Sequence, residues 1–317
     1  MKKVSRLIAS SLVLMITLSV PSYGWDALGH MAVAFVAYQQ LKPEVKKRVD
    51  ALLKKNPEHD VWLSEIPANA SEADKQMMVF MIAATWPDRL RSKKLHPEIH
   101  DDGSRPTGPD ADRNTGFDDK NLHRYWHFVD KPFSPDGTTT EDPPDINAKT
   151  RIKLFRSVLA SNKSDELKSY DLAWLLHLVG DVHQPLHCTS RFTKTKKQGD
   201  NGGNGVTLCA TASCNTKLHG FWDDALGTSG RATAAIIVGR KLPTARAQEA
   251  ANLDVEQWIQ DSFEKARDIA YSNPPIGNGS GPFKVTKKYR LAVGSLAEKR
   301  VALAGARLAN ILNNELR

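Results

Sequence analysis

Residues 170–187 read YDLAWLLHLVGDVHQPLH. Together with the residues before them they carry a helical pattern from Asp165 to His183, apolar on nearly every side, which predicts a buried helix rather than a strand or a surface helix. Pro185 ends it, because proline can neither donate to the ladder nor fit against the preceding turn. Yet His177, Asp181, His183 and His187 fall within eleven positions of this apolar segment. Polar groups of that kind, taken away from water, need partners.

The helical spacing recurs on both sides. LGHMAVAFVAYQQL at 28–41 keeps its apolar residues in register, and residues 43–56 follow with Pro43 in a first-turn position and Asn56–Pro57 as a stop. Similar patterns cover 71–85, 147–160, 254–271 and 287–313. No stretch alternates with period two. The expected fold class is therefore all-α. Two segments break the rhythm: residues 92–121, polar and rich in Gly, Pro and Asp, and residues 190–217, which contain KTKKQGDNGGNG. Connections this long are usually functional or mobile. Neither separates two composition regimes, and no internal repeat is visible, so one domain over 25–317 is the economical expectation.

Residues 1–24 stand apart from that domain. Lys2, Lys3 and Arg6 precede an uncharged, mostly apolar run from Leu7 to Val20, and Ser22 and Gly24 occupy the −3 and −1 positions of a signal-peptidase site. The expectation is a removed signal peptide, a mature chain beginning at Trp25, and export to a periplasm or the extracellular space. A retained anchor is disfavoured because the run is shorter than the roughly 20 residues a spanning helix needs. The 317-residue chain carries a formal charge of +8, and without Met1–Gly24 it carries +5. With 40% hydrophobic and 25% charged residues it has the composition of a soluble globular protein. The positive excess is spread over Lys-rich helical faces, so it permits a polyanionic partner without demonstrating one.

Three cysteines are present. Cys209 and Cys214 bracket ATAS, which suits a short-loop disulfide in an exported chain. Cys188 is left over, and it reads as a small buried thiol in preference to a metal ligand.

The ligand-type residues form a pattern. His177 and Asp181 are four apart, about 40° around a helix, so they point the same way. His183, two residues past Asp181, faces elsewhere and reads as structural, whereas His187 can return toward the pocket from the turn after Pro185. HGFWD at 219–223 repeats the i, i+4 geometry with His219 and Asp223 on another short helix. Two such pairs plus His187 make a set of nitrogen and oxygen ligands that suits zinc better than a thiolate cluster would. His30, Asp88 and His127 are further groups of the same type. Each alone could be a satisfied core histidine or a turn residue; their conjunction is what points to a metal centre.

At this stage the residues carry a resemblance. WDALGH (25–30), WPDRLR (86–91), WHFVD (126–130), HLVGDVHQPLH (177–187), GGN (202–204) and HGFWD (219–223), in that order, resemble the type I nucleases. These are secreted zinc enzymes that prefer single strands and have 3′-nucleotidase activity, distantly related to zinc-dependent phospholipases C. The resemblance implies a compact multi-helix fold and three zinc ions. Asp88, His127, His177 and Asp181 would hold one; Asp181, His30 and the free amine and carbonyl of Trp25 a second; His187, His219 and Asp223 the third.

The implied chemistry is attack on phosphorus by a zinc-bridging hydroxide, since zinc lowers the pKa of water from 15.7 toward about 7. Products would carry 5′-phosphates. Arg91, in the position of a basic side chain that reaches the scissile phosphate, would neutralise charge on phosphoryl oxygens; the bland reading is a surface arginine. Phe128 would stack on a base while Asp130 and Asn204 hydrogen-bond its edge, which favours single strands without sequence readout. Phe128 could equally be core. Substrates would be single-stranded DNA, RNA and 3′-nucleotides, acted on by a monomer with no stable protein partner and no membrane anchor.

Two departures from the family pattern stand out. The loop between Asp88 and His127 is long, and an apolar wall expected just before GGN is replaced by polar Asp200 and Asn201. A zinc-dependent phospholipase C is the alternative enzyme, less similar because Asp223 stands where those enzymes tend to have Glu. A non-catalytic protein braced by zinc is a third reading. It is disfavoured because His187, His219 and Asp223 are only three ligands, whereas structural zinc sites are closed and four-coordinate.

Overall fold

A computed structural model describes residues 24–316. Residues 1–23, and with them nearly all of the expected signal peptide, lie outside the described residues. The fold is all-α. Helices start where the sequence supplies caps: Asp26 accepts from the Leu28 and Gly29 amides ahead of Ala27–Gln40, Ser71 from the Asp74 amide ahead of Glu72–Ala83, and Ser164 from the Leu167 amide ahead of Asp165–Asp181. Asn147 and Thr150 form a reciprocal capping box before Ala148–Leu159.

Asp165–Asp181 is the central helix. Every residue from Lys168 to Asp181 is buried, as a helix apolar on all faces must be. Around it pack Pro43–Leu53, Ala148–Leu159, the N-terminal helix Ala27–Gln40 and the 29-residue C-terminal helix Lys287–Glu315, which also runs along the N-terminal helix. Trp86, Trp126, Tyr170 and Trp174 meet largely edge to face at the centre. The short helix Trp86–Arg89 and the tight turn Arg124–His127 are anchored there, which positions Asp88 and His127 against the central helix. A second apolar cluster, including Leu186, Val206, Leu218, Trp222 and Tyr289, supports the short helix Leu218–Asp223 from below.

The structure adds elements that periodicity does not reveal. Among the described residues, five strands of two or three residues tie loops together: Pro132–Phe133 pairs in parallel with Ser190–Arg191, and Thr207–Cys209 lies between Thr216–Lys217 and Phe283–Lys284. Strands this short have no alternation to read. The pattern over 254–271 resolves into the α-helix Val255–Lys265 followed by a π-helical turn, Ala266–Ala270. Cys209 and Cys214 form a disulfide that closes the turn after the middle strand, and Cys188 is a buried free thiol whose Sγ donates to the Val182 carbonyl. Among the described residues no helix is long and apolar enough to cross a membrane.

Candidate metal centre

The C-terminal end of the central helix brings the ligand-type residues together. His177 Nε2 lies 3.1 Å from Asp181 Oδ2, as the four-residue spacing requires. His127 Nδ1 approaches the same oxygen at 3.1 Å, and His30 Nε2 lies 3.4 Å from Asp181 Oδ1. Asp88 reaches His127 at 3.9 Å and His177 at 3.8 Å. Among the described residues, three groups have ligand atoms close enough to share an ion: His30 with His177 and Asp181, Asp88 with His127 and His177, and His187 with His219 and Asp223. The 3₁₀ turn Pro185–Cys188 carries His187 back to the cluster, with Nδ1 3.6 Å from Asp181 Oδ1. Trp25 is fully buried beside Gly180, and Gly24 lies against His30 and Asp181: a methyl group on it would overlap Asp181 Oδ1 and stand 2.9 Å from His30 Nε2.

Remote backbone carbonyls orient the rings. His177 donates its Nδ1–H to Ala84 O (2.8 Å), His187 to His127 O (2.6 Å) and His219 to Gly202 O (2.7 Å). A carbonyl can only accept, so each ring is left with an Nε2 lone pair. Metal-bound histidines are typically fixed in this way. Two glycines make the fit possible. A side chain on Gly180 would come within 2.8 Å of His30 Nδ1, and one on Gly202, at φ 60°, would overlap the Leu186 carbonyl.

The polar inventory of the cluster is unfinished, which is the test of whether these residues suit a cation. Both ring nitrogens of His30, the Nε2 atoms of His127, His187 and His219, and Asp181 Oδ1 are buried without a hydrogen-bond partner, while Asp88 Oδ1 has only the Arg91 guanidinium nearby. Orphaned groups at this density are rare in a folded protein and costly unless something pairs them. Each neutral ring offers one lone pair, and the carboxylate oxygen can only accept. Burial lowers the His30 pKa, that of His127 to about 4 and that of His219 to about 3, so these rings are neutral at pH 7. Burial also pushes Asp223 far above the carboxylate range; the Gln184 hydrogen bond opposes this and the neighbouring carboxylates add to it. Asp181 is as buried, but His177 and His187 hold it well below that range. Neutral imidazoles beside carboxylates form a donor set that a divalent cation would satisfy.

The centre opens into a cavity of about 380 Å³. His127, His187 and His219 lie on its inner face with Phe128 and Asp130, while Arg91 and Asn204 also line it. Arg91 Nη2 is 3.3 Å from Asp88 Oδ1, so this arginine belongs to the cluster and not to the outer surface. Phe128 is half-buried, packed on one side against the core and open to the cavity on the other. Asp130 has a pKa pushed up to about 7 by burial and by Asp200. Asn204 donates from its amide to Asn201 O at 2.8 Å.

Sequence reasoning misread one wall of this cavity. Asp200 does not stand in it: its Oδ1 accepts from the Arg191 and Gly203 amides and from the Tyr271 hydroxyl, which turns the carboxylate inward. Asn201 does line the cavity, and an apolar side is supplied by Phe192 from nine residues upstream. Gln184 was also missed. Its amide donates to Asp223 Oδ1 at 2.7 Å while its carbonyl accepts from the Leu186 amide; the available signal was its place between two ligand-type histidines in HQPLH. His183 faces away as expected, donating to Val179 O and pairing with Arg307.

The S1/P1 nuclease profile matches residues 25–317. Among curated proteins, Endonuclease 4 of Arabidopsis thaliana is 31% identical over 49% of this chain and 54% of its own length. Endonuclease 3 of the same plant is 29% identical over 48% of this chain and 55% of its own. Nuclease S1 of Aspergillus oryzae is 23% identical over 64% and 54% respectively. The matched stretch thus spans about half the length of each relative.

Proposed function

The chain belongs to the S1/P1 nuclease family, and from that premise we propose that it is an exported zinc-dependent nuclease, cleaving single-stranded DNA and RNA to 5′-phosphate products and releasing phosphate from 3′-nucleotides. The observation that carries this reading is the cluster of orphaned histidine and carboxylate atoms on the inner face of an open cavity that also presents an arginine and a half-exposed phenylalanine.

In this reading Asp88, His127, His177 and Asp181 would hold one zinc, His30, Asp181 and the mature Trp25 terminus a second, and His187, His219 and Asp223 a third. Zinc there would supply water acidic enough to lose a proton near neutral pH, and a Lewis acid for phosphoryl oxygens. The protein's own groups do the rest. Ala84 O, His127 O and Gly202 O hold the Nδ1 side of the three imidazoles, which leaves Nε2 of each ring to an ion. Gln184 holds Asp223 in place. Arg91, beside Asp88, neutralises charge that grows on the phosphoryl oxygens. Phe128 offers its free face to a splayed base, and Asp130 and Asn204 offer hydrogen bonds to that base's edge. A duplex hides its base faces in the stack, so this platform selects single strands. Export accords with the apolar leader at 1–24 and with the Cys209–Cys214 disulfide.

The test is a side-by-side assay of purified protein on single-stranded DNA, RNA, adenosine 3′-phosphate and phosphatidylcholine, before and after chelation, with zinc measured by elemental analysis. Nucleotide release that disappears on chelation and returns with zinc is expected. Lipid cleavage without nucleotide release would replace the nuclease with a phospholipase C.

A further inference from the structure

The long loop 92–121 lines the cavity with Ser104 and Arg105. Its neck is closed by backbone pairing: the His100 amide donates to Lys120 O at 2.7 Å and the Leu122 amide to His100 O at 2.9 Å. His123 then takes a left-handed turn at φ 47°, fixed by its ring, which bonds Asp119 at 2.6 Å, approaches Asp102 at 3.1 Å and stacks on Trp126 with centroids 3.7 Å apart. This clasp sets Arg124 beside the first residues of the loop, where it donates to Asp101 Oδ2 at 3.0 Å. Arg105 extends over the cavity to Glu141 on the next loop through two parallel bonds of 3.1 and 2.9 Å. Arg105, Arg124 and Glu141 all line the cavity that holds His127, His187 and His219.

Arg105 and Glu141 are 59% and 56% exposed, and Arg124 and Asp101 38% and 48%. Ion pairs so exposed contribute little net stability, so another anion readily displaces the carboxylates. A guanidinium fork matches a phosphodiester as well as it matches a carboxylate. Two guanidinium groups lining the same cavity as the aromatic rings of Phe128 and Phe192 have the makeup of a single-strand track: cations for the backbone, rings for the bases.

We propose that Arg105 and Arg124 form a second phosphate-binding subsite, which takes backbone phosphates flanking the one at the metal centre, and that Glu141 and Asp101 occupy the arginines until a strand displaces them. The inference rests on the nuclease reading and adds to it a preference for oligonucleotides over mononucleotides. A purely structural role for the Arg105–Glu141 pair, pinning two loops, predicts something different: loss of either partner would have the same effect. In the subsite, loss of Arg105 removes a phosphate contact whereas loss of Glu141 removes a competitor.

Binding of a fluorescein-labelled dodecathymidylate with nuclease-resistant phosphorothioate linkages, followed by anisotropy on the zinc-loaded protein from 50 to 200 mM NaCl, separates the two. For single strands the slope of log K against log salt changes by about 0.7 for each phosphate contact. Arg105→Ala should flatten the slope by about 0.7 and the double variant Arg105→Ala/Arg124→Ala by about 1.4, whereas Arg105→Lys keeps the charge and the slope. Glu141→Gln should tighten binding several-fold. The ratio of kcat/KM for the dodecamer to that for adenosine 3′-phosphate should fall about tenfold in the double variant. Unchanged slopes in folded, zinc-replete arginine variants, or weaker binding by Glu141→Gln, would overturn the subsite while leaving the nuclease reading intact. A wild-type protein that neither binds nor cleaves the oligonucleotide would remove both.

Discussion

Asp181→Asn is the most searching single change at the candidate metal centre. The carboxylate is fully buried, with its two oxygens within 3.1–3.6 Å of four imidazoles, those of His30, His127, His177 and His187. It touches members of all three candidate ion groups. An amide keeps the volume, so packing is retained, but it removes a negative charge from between cations and places an N–H₂ where a lone pair was. If zinc binds about a hundredfold more weakly, the stabilisation conferred by one ion at fixed free zinc falls by about 2.7 kcal/mol. Unfolding this 317-residue chain at roughly 2.1 cal/mol/K per residue converts that to a loss of about 4 °C in Tm. Hydrolysis of single-stranded DNA should fall at least about 10²-fold. The assay compares zinc stoichiometry, cleavage rate and Tm, the last with and without chelator. In chelator the two proteins should melt close together, because only the zinc-dependent part has been removed. A variant with full zinc, full rate and an unshifted melt would refute Asp181 as a shared ligand. Equal destabilisation with and without zinc would mean that the carboxylate serves the fold instead.

Phe128→Ala should cost about 1–3 kcal/mol of single-strand affinity, the usual worth of one base stack, with zinc content unchanged; unaltered affinity in a titration would assign Phe128 to the core alone. A chain that begins at Gly24 should bind less zinc than one beginning at Trp25, because Gly24 fills the space beside His30 and Asp181 and turns the Trp25 amine into a peptide nitrogen; equal stoichiometry by elemental analysis would take Trp25 off the ligand set. Asp171, buried and bonded to the Asn114 amide, has its pKa pushed up to about 8 by burial. A raised carboxyl pKa makes stability fall as pH rises from about 4 to about 8, so Asp171→Asn, whose amide can reach the unpartnered Asn114 Oδ1, should exceed wild type in Tm at pH 9 by an amount that shrinks toward pH 5. A variant less stable than wild type at both pH values would show that the charge is needed.

The sequence by itself determined whatever depends on neighbours along the chain. Helical periodicity located the central helix and the N- and C-terminal helices, since 3.6 residues per turn leaves its mark on any segment that must bury a face. It also paired His177 with Asp181 and His219 with Asp223, because four residues on a helix always point together. The Cys209–Cys214 pairing was legible for the same reason: five residues and a turn bring the sulfurs within reach. Tertiary structure alone decided which nitrogen His177, His187 and His219 present, since that choice belongs to Ala84 O, His127 O and Gly202 O, none of them on the same helical turn as the ring it orients. It decided that Asp200 turns inward and that Phe192 forms the apolar side of the cavity, because the partners of a buried carboxylate come from Tyr271 and Arg191, which no spacing rule connects to it. It also placed the polar loop 92–121 against the cavity. A loop without periodicity carries no directional information of its own, and its path is set by the few bonds at its neck and by what remains uncovered when the helices have packed.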